Sequence, residues 1–178
     1  MTPIFLLGLF GSIILVIGAW LPDKPVKHPV QSLKDWCFAI GALVMLVYSV
    51  INYINGAPIF FVFLEGLVTL SSAFMMLNID DRIDTPIVIA ATIGLIGWSI
   101  SLAQGSDVII FIVGLAGIAI GYVLKGGTVK RELALIIGSV LIALFSYLSA
   151  TWIFFWLNVF FALFSAWEAW RIARERLR

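Results

Sequence analysis

Long apolar runs alternate with short clusters of proline, glycine and polar residues from one end of this chain to the other. Most runs are about 18–22 residues, the length a helix needs to cross a hydrocarbon core of about 30 Å. The pattern predicts seven helices, at roughly 3–21, 36–55, 58–79, 86–104, 107–124, 130–148 and 151–172. The breaks carry turn chemistry. Pro22, Pro25 and Pro29 end the first run, and Asn55-Gly56-Ala57-Pro58 separates the second from the third. The segment from Asp80 to Pro86, Gln104-Gly105-Ser106-Asp107 and Gly126-Gly127-Thr128 make the next three breaks. Ser149-Ala150-Thr151 is the weakest, but the run from 133 to 170 is too long for one span.

Some runs resemble one another. Residues 57–73 align without gaps on 150–166 at an offset of 93, which places Glu65 over Asn158. The second and sixth runs align at an offset of 97, with Ile40-Gly41-Ala42-Leu43 over Ile137-Gly138-Ser139-Val140 and Tyr48-Ser49 over Phe145-Ser146. The first and fifth share a glycine tag, Gly8-Leu9-Phe10-Gly11 and Gly114-Leu115-Ala116-Gly117. Gly94-Leu95-Ile96-Gly97 in the fourth run shows how weak that tag is as a pairing signal. The expected organisation is a single membrane domain over 1–178: repeat 1 at 1–79, a linker helix within 80–106, and repeat 2 at 107–178. An odd number of helices per copy, with one linker helix to return the chain, makes this a parallel repeat. The expected fold class is therefore all-α integral membrane, seven transmembrane helices as two parallel three-helix repeats (3+1+3).

Composition explains why lipid is the expected solvent. The 178 residues are 62% hydrophobic and 12% charged, with a mean hydropathy of +1.12. A soluble domain of this size has no way to hide that much apolar surface. Met1 to Phe5 has no basic stretch and no convincing cleavage site follows, so the first run is expected to be a helix and not a signal peptide. All eleven Lys and Arg fall in four groups: Lys24, Lys27 and Lys34; Arg82; Lys125, Lys130 and Arg131; and Arg171, Arg174, Arg176 and Arg178. In a seven-span chain these four groups share one side. The positive-inside bias then places the N-terminus outside and the C-terminus in the cytoplasm of a plasma membrane. A net charge of +1 gives no reason to expect a nucleic-acid partner.

The 3+1+3 plan and this orientation resemble the PQ-loop and SWEET superfamily, and the vitamin transporters of the PnuC kind share the helix count. Length and outline are also similar to small bacterial inner-membrane proteins of the YgjV type. The resemblance covers nearly the whole chain and is architectural. In SWEET-type transporters an asparagine in the third helix of each copy lines the substrate pocket. Asn158 occupies such a place, and Glu65 fills the matching one. Trp20-Leu21-Pro22-Asp23 has the proline of the PQ motif without its glutamine, and the prolines that hinge the family's helices are otherwise missing. What the resemblance implies is alternating access between two three-helix bundles.

The candidate site residues follow from depth and polarity. Glu65 lies about 12 Å into its span, where a carboxylate must face a cavity, be neutral or be paired. No Lys or Arg sits at comparable depth in any run. Asn158 lies equally deep, where an amide either binds a solute or joins helices. Tyr48 and Asn52 recur at helical spacing on the second helix, with Asn55 closer to a helix end. Trp156 lies one turn from Asn158 and either stacks on a solute or packs. Glu168 and Arg171 are spaced for an i,i+3 ion pair. Asp80-Asp81-Arg82-Ile83-Asp84 spells a DDxxD string without the second acidic motif that Mg²⁺-diphosphate chemistry needs. His28 has no metal partner in sequence, and one cysteine, Cys37, permits no internal disulfide or metal cluster. No nucleophile, zinc or phosphate-loop motif is present.

The leading expectation is thus a membrane transporter for a small polar solute. It is non-enzymatic, without cofactor or metal, with Glu65, Asn158, Tyr48, Asn52 and Trp156 as substrate-binding candidates. Its partners are the lipid bilayer, the solute and a second copy in a homo-oligomer. Two alternatives stand beside it: a non-transporting scaffold or receptor-like partner protein, and a small lipid-modifying enzyme using the acidic loop.

Overall fold

Polar caps decide where each helix starts. The computed structural model describes residues 2–21, 28–103 and 105–175. Within them seven α-helices form: α1 Pro3–Trp20, α2 Leu33–Ile54, α3 Phe60–Met76, α4 Asp81–Ser101, α5 Asp107–Val123, α6 Val129–Leu148 and α7 Trp152–Glu175, with a 3-10 turn at Pro29–Gln31. Pro22, Lys24, Pro25, Lys27, Gln104, Arg176 and Arg178 lie outside the described residues. Thr2, Ser32 and Thr128 cap α1, α2 and α6: their hydroxyls accept the backbone N–H groups of Phe5, Asp35 and Arg131 at 3.3, 3.2 and 3.3 Å. Ser32 thereby starts α2 three residues before the expected 36.

The fourth helix differs more. The turn expected over 80–86 is helical from Asp81. Asp80 accepts the Arg82 N–H through Oδ1 at 2.9 Å, and its carbonyl takes the Ile83 and Asp84 N–H groups. Pro86 is inside the helix, near its start, where the missing N–H forfeits a single bond.

Three helices end alike. After α2, α3 and α6 the chain turns through positive φ at Gly56 (98°), Asn78 (51°) and Ala150 (53°). The next residue's N–H then returns to a carbonyl five residues back: Ala57 to Asn52, Ile79 to Phe74, and Thr151 to Ser146. This is the Schellman closure, which satisfies carbonyls a helix end leaves open. It also turns Ser149-Ala150-Thr151, the weakest break in the sequence, into a definite stop.

Five helices, α1, α2, α4, α6 and α7, are long and apolar enough to cross a membrane, and α3 and α5 are apolar helices of 17 residues. The chain divides into two compact units, Met1–Val88 and Ile89–Arg178, with the division inside α4. In the first, α2 packs against both α1 and α3, and the 3-10 turn touches α2 and α3. In the second, α6 packs against both α5 and α7.

Within each unit small residues share the helix interfaces with large apolar ones, while many other large apolar side chains are exposed. On α1 the buried residues are Gly8, Gly11, Ser12, Leu15 and Gly18, while Phe10, Ile13, Ile17 and Trp20 are exposed. On α6, Gly138, Ser139, Ile142, Ala143, Phe145 and Ser146 are buried, while Ile137, Val140 and Leu144 are exposed. Small residues let backbones approach. A Cβ built on Gly117 would lie 2.9 Å from Gly138 Cα, and one on Gly41 would lie 3.0 Å from Leu15 N.

The close approaches give a register that the glycine tags do not. Gly41 of α2 faces Leu15 of α1, and Gly138 of α6 faces the Ile118 backbone of α5. Gly11 faces Met45, and Gly114 faces Ile142; Gly18 faces Phe38, and Gly121 faces Leu135. In packing terms α5 matches α1 at an offset of 103, with Gly114 where Gly11 stands, so Gly8-Gly11 over Gly114-Gly117 is not the equivalent pairing. At that offset every buried residue of α1 has a buried counterpart on α5, and at 97 every buried residue of α2 has one on α6. One pair exchanges shape. Tyr48 lays its ring over Gly8, whereas the matching Phe145 packs on Phe111 with ring centroids 5.2 Å apart.

Candidate functional site

α3 brings a carboxylate into the core of the first unit. Glu65 follows Phe60, Phe61, Phe63 and Leu64, all buried, and is itself 2% exposed. Its Oε2 has no hydrogen-bond partner among the described residues. One turn on, Thr69 Oγ1 is also buried and open; Ser71 Oγ is a third such atom, on another face of the helix. Ser72, two turns from Glu65, is buried on the same face.

The open hydroxyls of α3 contrast with those of the other helices. Ser12, Ser49, Ser99 and Ser146 each donate to a carbonyl of the preceding turn, Leu9, Leu46, Leu95 and Ile142, at 2.7–2.9 Å. That back-bonding is the usual way a helix satisfies a buried hydroxyl. Thr69 and Ser71 do not use it. In sequence, no Lys or Arg lies between Lys34 and Arg82.

The second unit answers the same position differently. Asn158 of α7 is 5% exposed, and its Nδ2 donates to the Phe154 carbonyl at 2.9 Å. The amide thus closes on its own helix. Five buried residues of α3 have buried counterparts on α7 at the offset of 93: Phe60, Phe61, Leu64, Glu65 and Ser72 against Ile153, Phe154, Leu157, Asn158 and Ser165.

The remaining candidates are placed as follows. Tyr48 is buried on α2, which packs on α3. Asn52 is half-buried, and its carbonyl accepts the Asn55 and Ala57 N–H groups at the end of α2. Asn55 is exposed and caps α2, its Nδ2 donating to the Ile51 carbonyl at 2.7 Å. Tyr48, Asn52 and Glu65 thus belong to the first unit, Asn158 and Trp156 to the second. Trp156 is 54% exposed and packs edge-on against Phe155 at 5.0 Å, about 200° around α7 from Asn158.

Glu132 was not among the sequence candidates. It stands in the first turn of α6, 3% exposed, with Arg131 Nη1 3.0 Å from its Oε1. Ser165 and Glu168 of α7 lie beside it, and Glu168 pairs with Arg171 as its i,i+3 spacing suggests. The group ties the start of α6 to the second half of α7. A carboxylate next to an arginine at a helix start reads as a solvated pair; the only sequence signal against that is its alignment with Asp35 at the offset of 97.

In the DDxxD string Asp80 caps α4, and Asp84 accepts the Thr85 hydroxyl at 3.1 Å. Among the described residues no group of three His, Cys, Asp or Glu is placed to hold a metal ion. Comparison with family models, curated proteins and solved structures finds no match to this chain.

Proposed function

We propose that this chain is a multi-pass membrane transporter for a small polar solute, organised as two parallel three-helix repeats joined by α4. The exposed apolar surface supports membrane insertion: isoleucine, leucine, valine and tryptophan side chains face outward on helices whose interfaces hold glycine, serine and alanine beside buried leucine and phenylalanine. The matched burial and the shared α1–α2 and α5–α6 register support the repeat. The resemblance to the PQ-loop and SWEET plan belongs to this same reading, as does an inner membrane with the N-terminus outside. The units are the parts that move in alternating access, with Glu65 and Asn158 as solute contacts and Tyr48, Asn52 and Trp156 as weaker ones.

Glu65 is the observation that carries transport over a purely structural role. A buried acid oxygen without a partner costs about 1–3 kcal/mol or more, and is retained where something else completes it. Uptake of a panel of small polar solutes by cells or proteoliposomes tests this. Glu65→Ala removes uptake while expression and the detergent-purified fold persist; unchanged uptake sinks the role of Glu65. A scaffold function is the second reading. It draws on Gly94 and Gly97 of α4, beside which a Cβ would meet nothing within 4 Å, leaving room for another helix. A stoichiometric co-purifying membrane protein that is lost on Gly94→Leu favours it.

A further inference from the structure

Glu65 and Thr69 are one turn apart on α3, so their side chains share a face with Cβ atoms about 5–6 Å apart. Both carry a buried oxygen with no partner among the described residues. The two atoms ask for different things. Glu65 Oε2 accepts hydrogen bonds, while the Thr69 hydroxyl offers both a donor and an acceptor. A proton alone does not complete the pair. If Oε2 carries it, the new O–H lacks an acceptor; if Oε1 does, Oε2 is still a carbonyl oxygen without a donor. Charge narrows the occupant further. If Glu65 stays ionised in its low-dielectric core, with no Lys or Arg between 34 and 82 in the sequence, it needs one positive charge from outside that stretch. A Cβ built on Gly66 would meet nothing within 4 Å, so the helix surface about 100° around α3 from Glu65 is open.

We propose that Glu65 and Thr69 form a binding site for a small organic ammonium compound, its charged nitrogen donating to Glu65 Oε2 and a neighbouring hydroxyl or carbonyl meeting the Thr69 hydroxyl. Amino alcohols are the simplest members of the class. The inference rests on Glu65 as a solute contact and deepens that reading by naming the solute's chemistry. Asn158, at the corresponding place in the second unit, is neutral and closed on its own helix, so the charge requirement belongs to the first unit alone.

Thermal unfolding of the full chain in detergent, at neutral pH and fixed ionic strength, tests it with ethanolamine, ethylamine and glycerol as probes. Ethanolamine and ethylamine are expected to raise the Tm saturably. Ethanolamine should half-saturate at about five- to tenfold lower concentration, as one added hydrogen bond predicts. Glycerol is expected to have no effect. Glu65→Gln, nearly isosteric, should abolish both shifts. Thr69→Val should keep the ethylamine response and erase the advantage of ethanolamine, a signature that loss of fold would not mimic. No saturable shift with either amine overturns the proposal, as does an equal response to glycerol or a response retained in Glu65→Gln. Amine binding with these dependences, without uptake into proteoliposomes, upholds the site and removes only the transport reading. Glu65-dependent uptake of a neutral solute without amine binding overturns the site alone.

Discussion

Replacing Gly138 by alanine places a methyl group against the backbone of α5. An ideal Cβ there would lie 2.6 Å from Ile118 N, 2.9 Å from Gly114 O and 3.0 Å from Gly117 C. None of these atoms is the tip of a side chain that swings away. Against the 3.4 Å at which ordinary contact begins, the shortfall is about 0.8 Å, so α5 and α6 must part by that much or tilt. A gap of 0.5–1 Å forfeits roughly a quarter to a half of the dispersion well for each facing atom pair. Overpacking of this kind costs about 1–3 kcal/mol, and alanine returns about 0.5–1 kcal/mol of helix propensity. The net expectation is a loss of about 1–2 kcal/mol. Gly94 and Gly97 on α4 are the matched controls, because a Cβ at either meets nothing within 4 Å. Gly94→Ala and Gly97→Ala should be neutral or stabilising by up to about 0.5–1 kcal/mol. Unfolding in mixed detergent, followed by tryptophan fluorescence, reads all three against the parent. A Gly138→Ala protein as stable as Gly94→Ala would refute the close approach of α5 and α6, and with it the shared register of the two units.

Other substitutions test separate parts of the account. Ala150 sits at φ 53°, where a non-glycine residue is strained by about 1 kcal/mol, so Ala150→Gly should raise the free energy of unfolding by about 0.5–1 kcal/mol in the same assay. Glu132→Ala removes the carboxylate that ties α6 to α7 and should cost about 1–3 kcal/mol, whereas Glu168→Ala, an exposed pair with Arg171, should cost under about 1 kcal/mol. Tyr48→Ala removes the ring that covers Gly8, leaves a cavity and should cost about 3 kcal/mol or more.

Helix number and approximate bounds were legible because span length and proline and glycine punctuation point to the same count. The starts were less legible. Asp80 and Ser32 act through their side chains on N–H groups two or three residues ahead, which moved α4 and α2 toward the N-terminus of the expected ranges. The glycine tags misled for a related reason. Letters shared by Gly8-Gly11 and Gly114-Gly117 record composition, while the register depends on which glycine meets which backbone, and Gly41 and Gly138 settle that. Glu65 and Asn158 stood out as lone polar residues in apolar runs. Whether each finds a partner was not legible: Asn158 closes on Phe154, and Glu65 Oε2 stays open. The expectation that Trp156 lies one turn from Asn158 fails on spacing: two residues along a helix is about 200°, and its ring is exposed.

The central claim is that a buried, incompletely bonded Glu65 handles a polar solute, and uptake by proteoliposomes containing wild-type or Glu65→Gln protein at equal incorporation tests it most directly. The account predicts that at least one small polar solute, an amino alcohol first among them, enters wild-type vesicles faster than empty ones. Glu65→Gln should lower that rate tenfold or more while the Tm without solute stays within a few degrees of wild type. Equal uptake by the two proteins, with every solute in the panel, would contradict it.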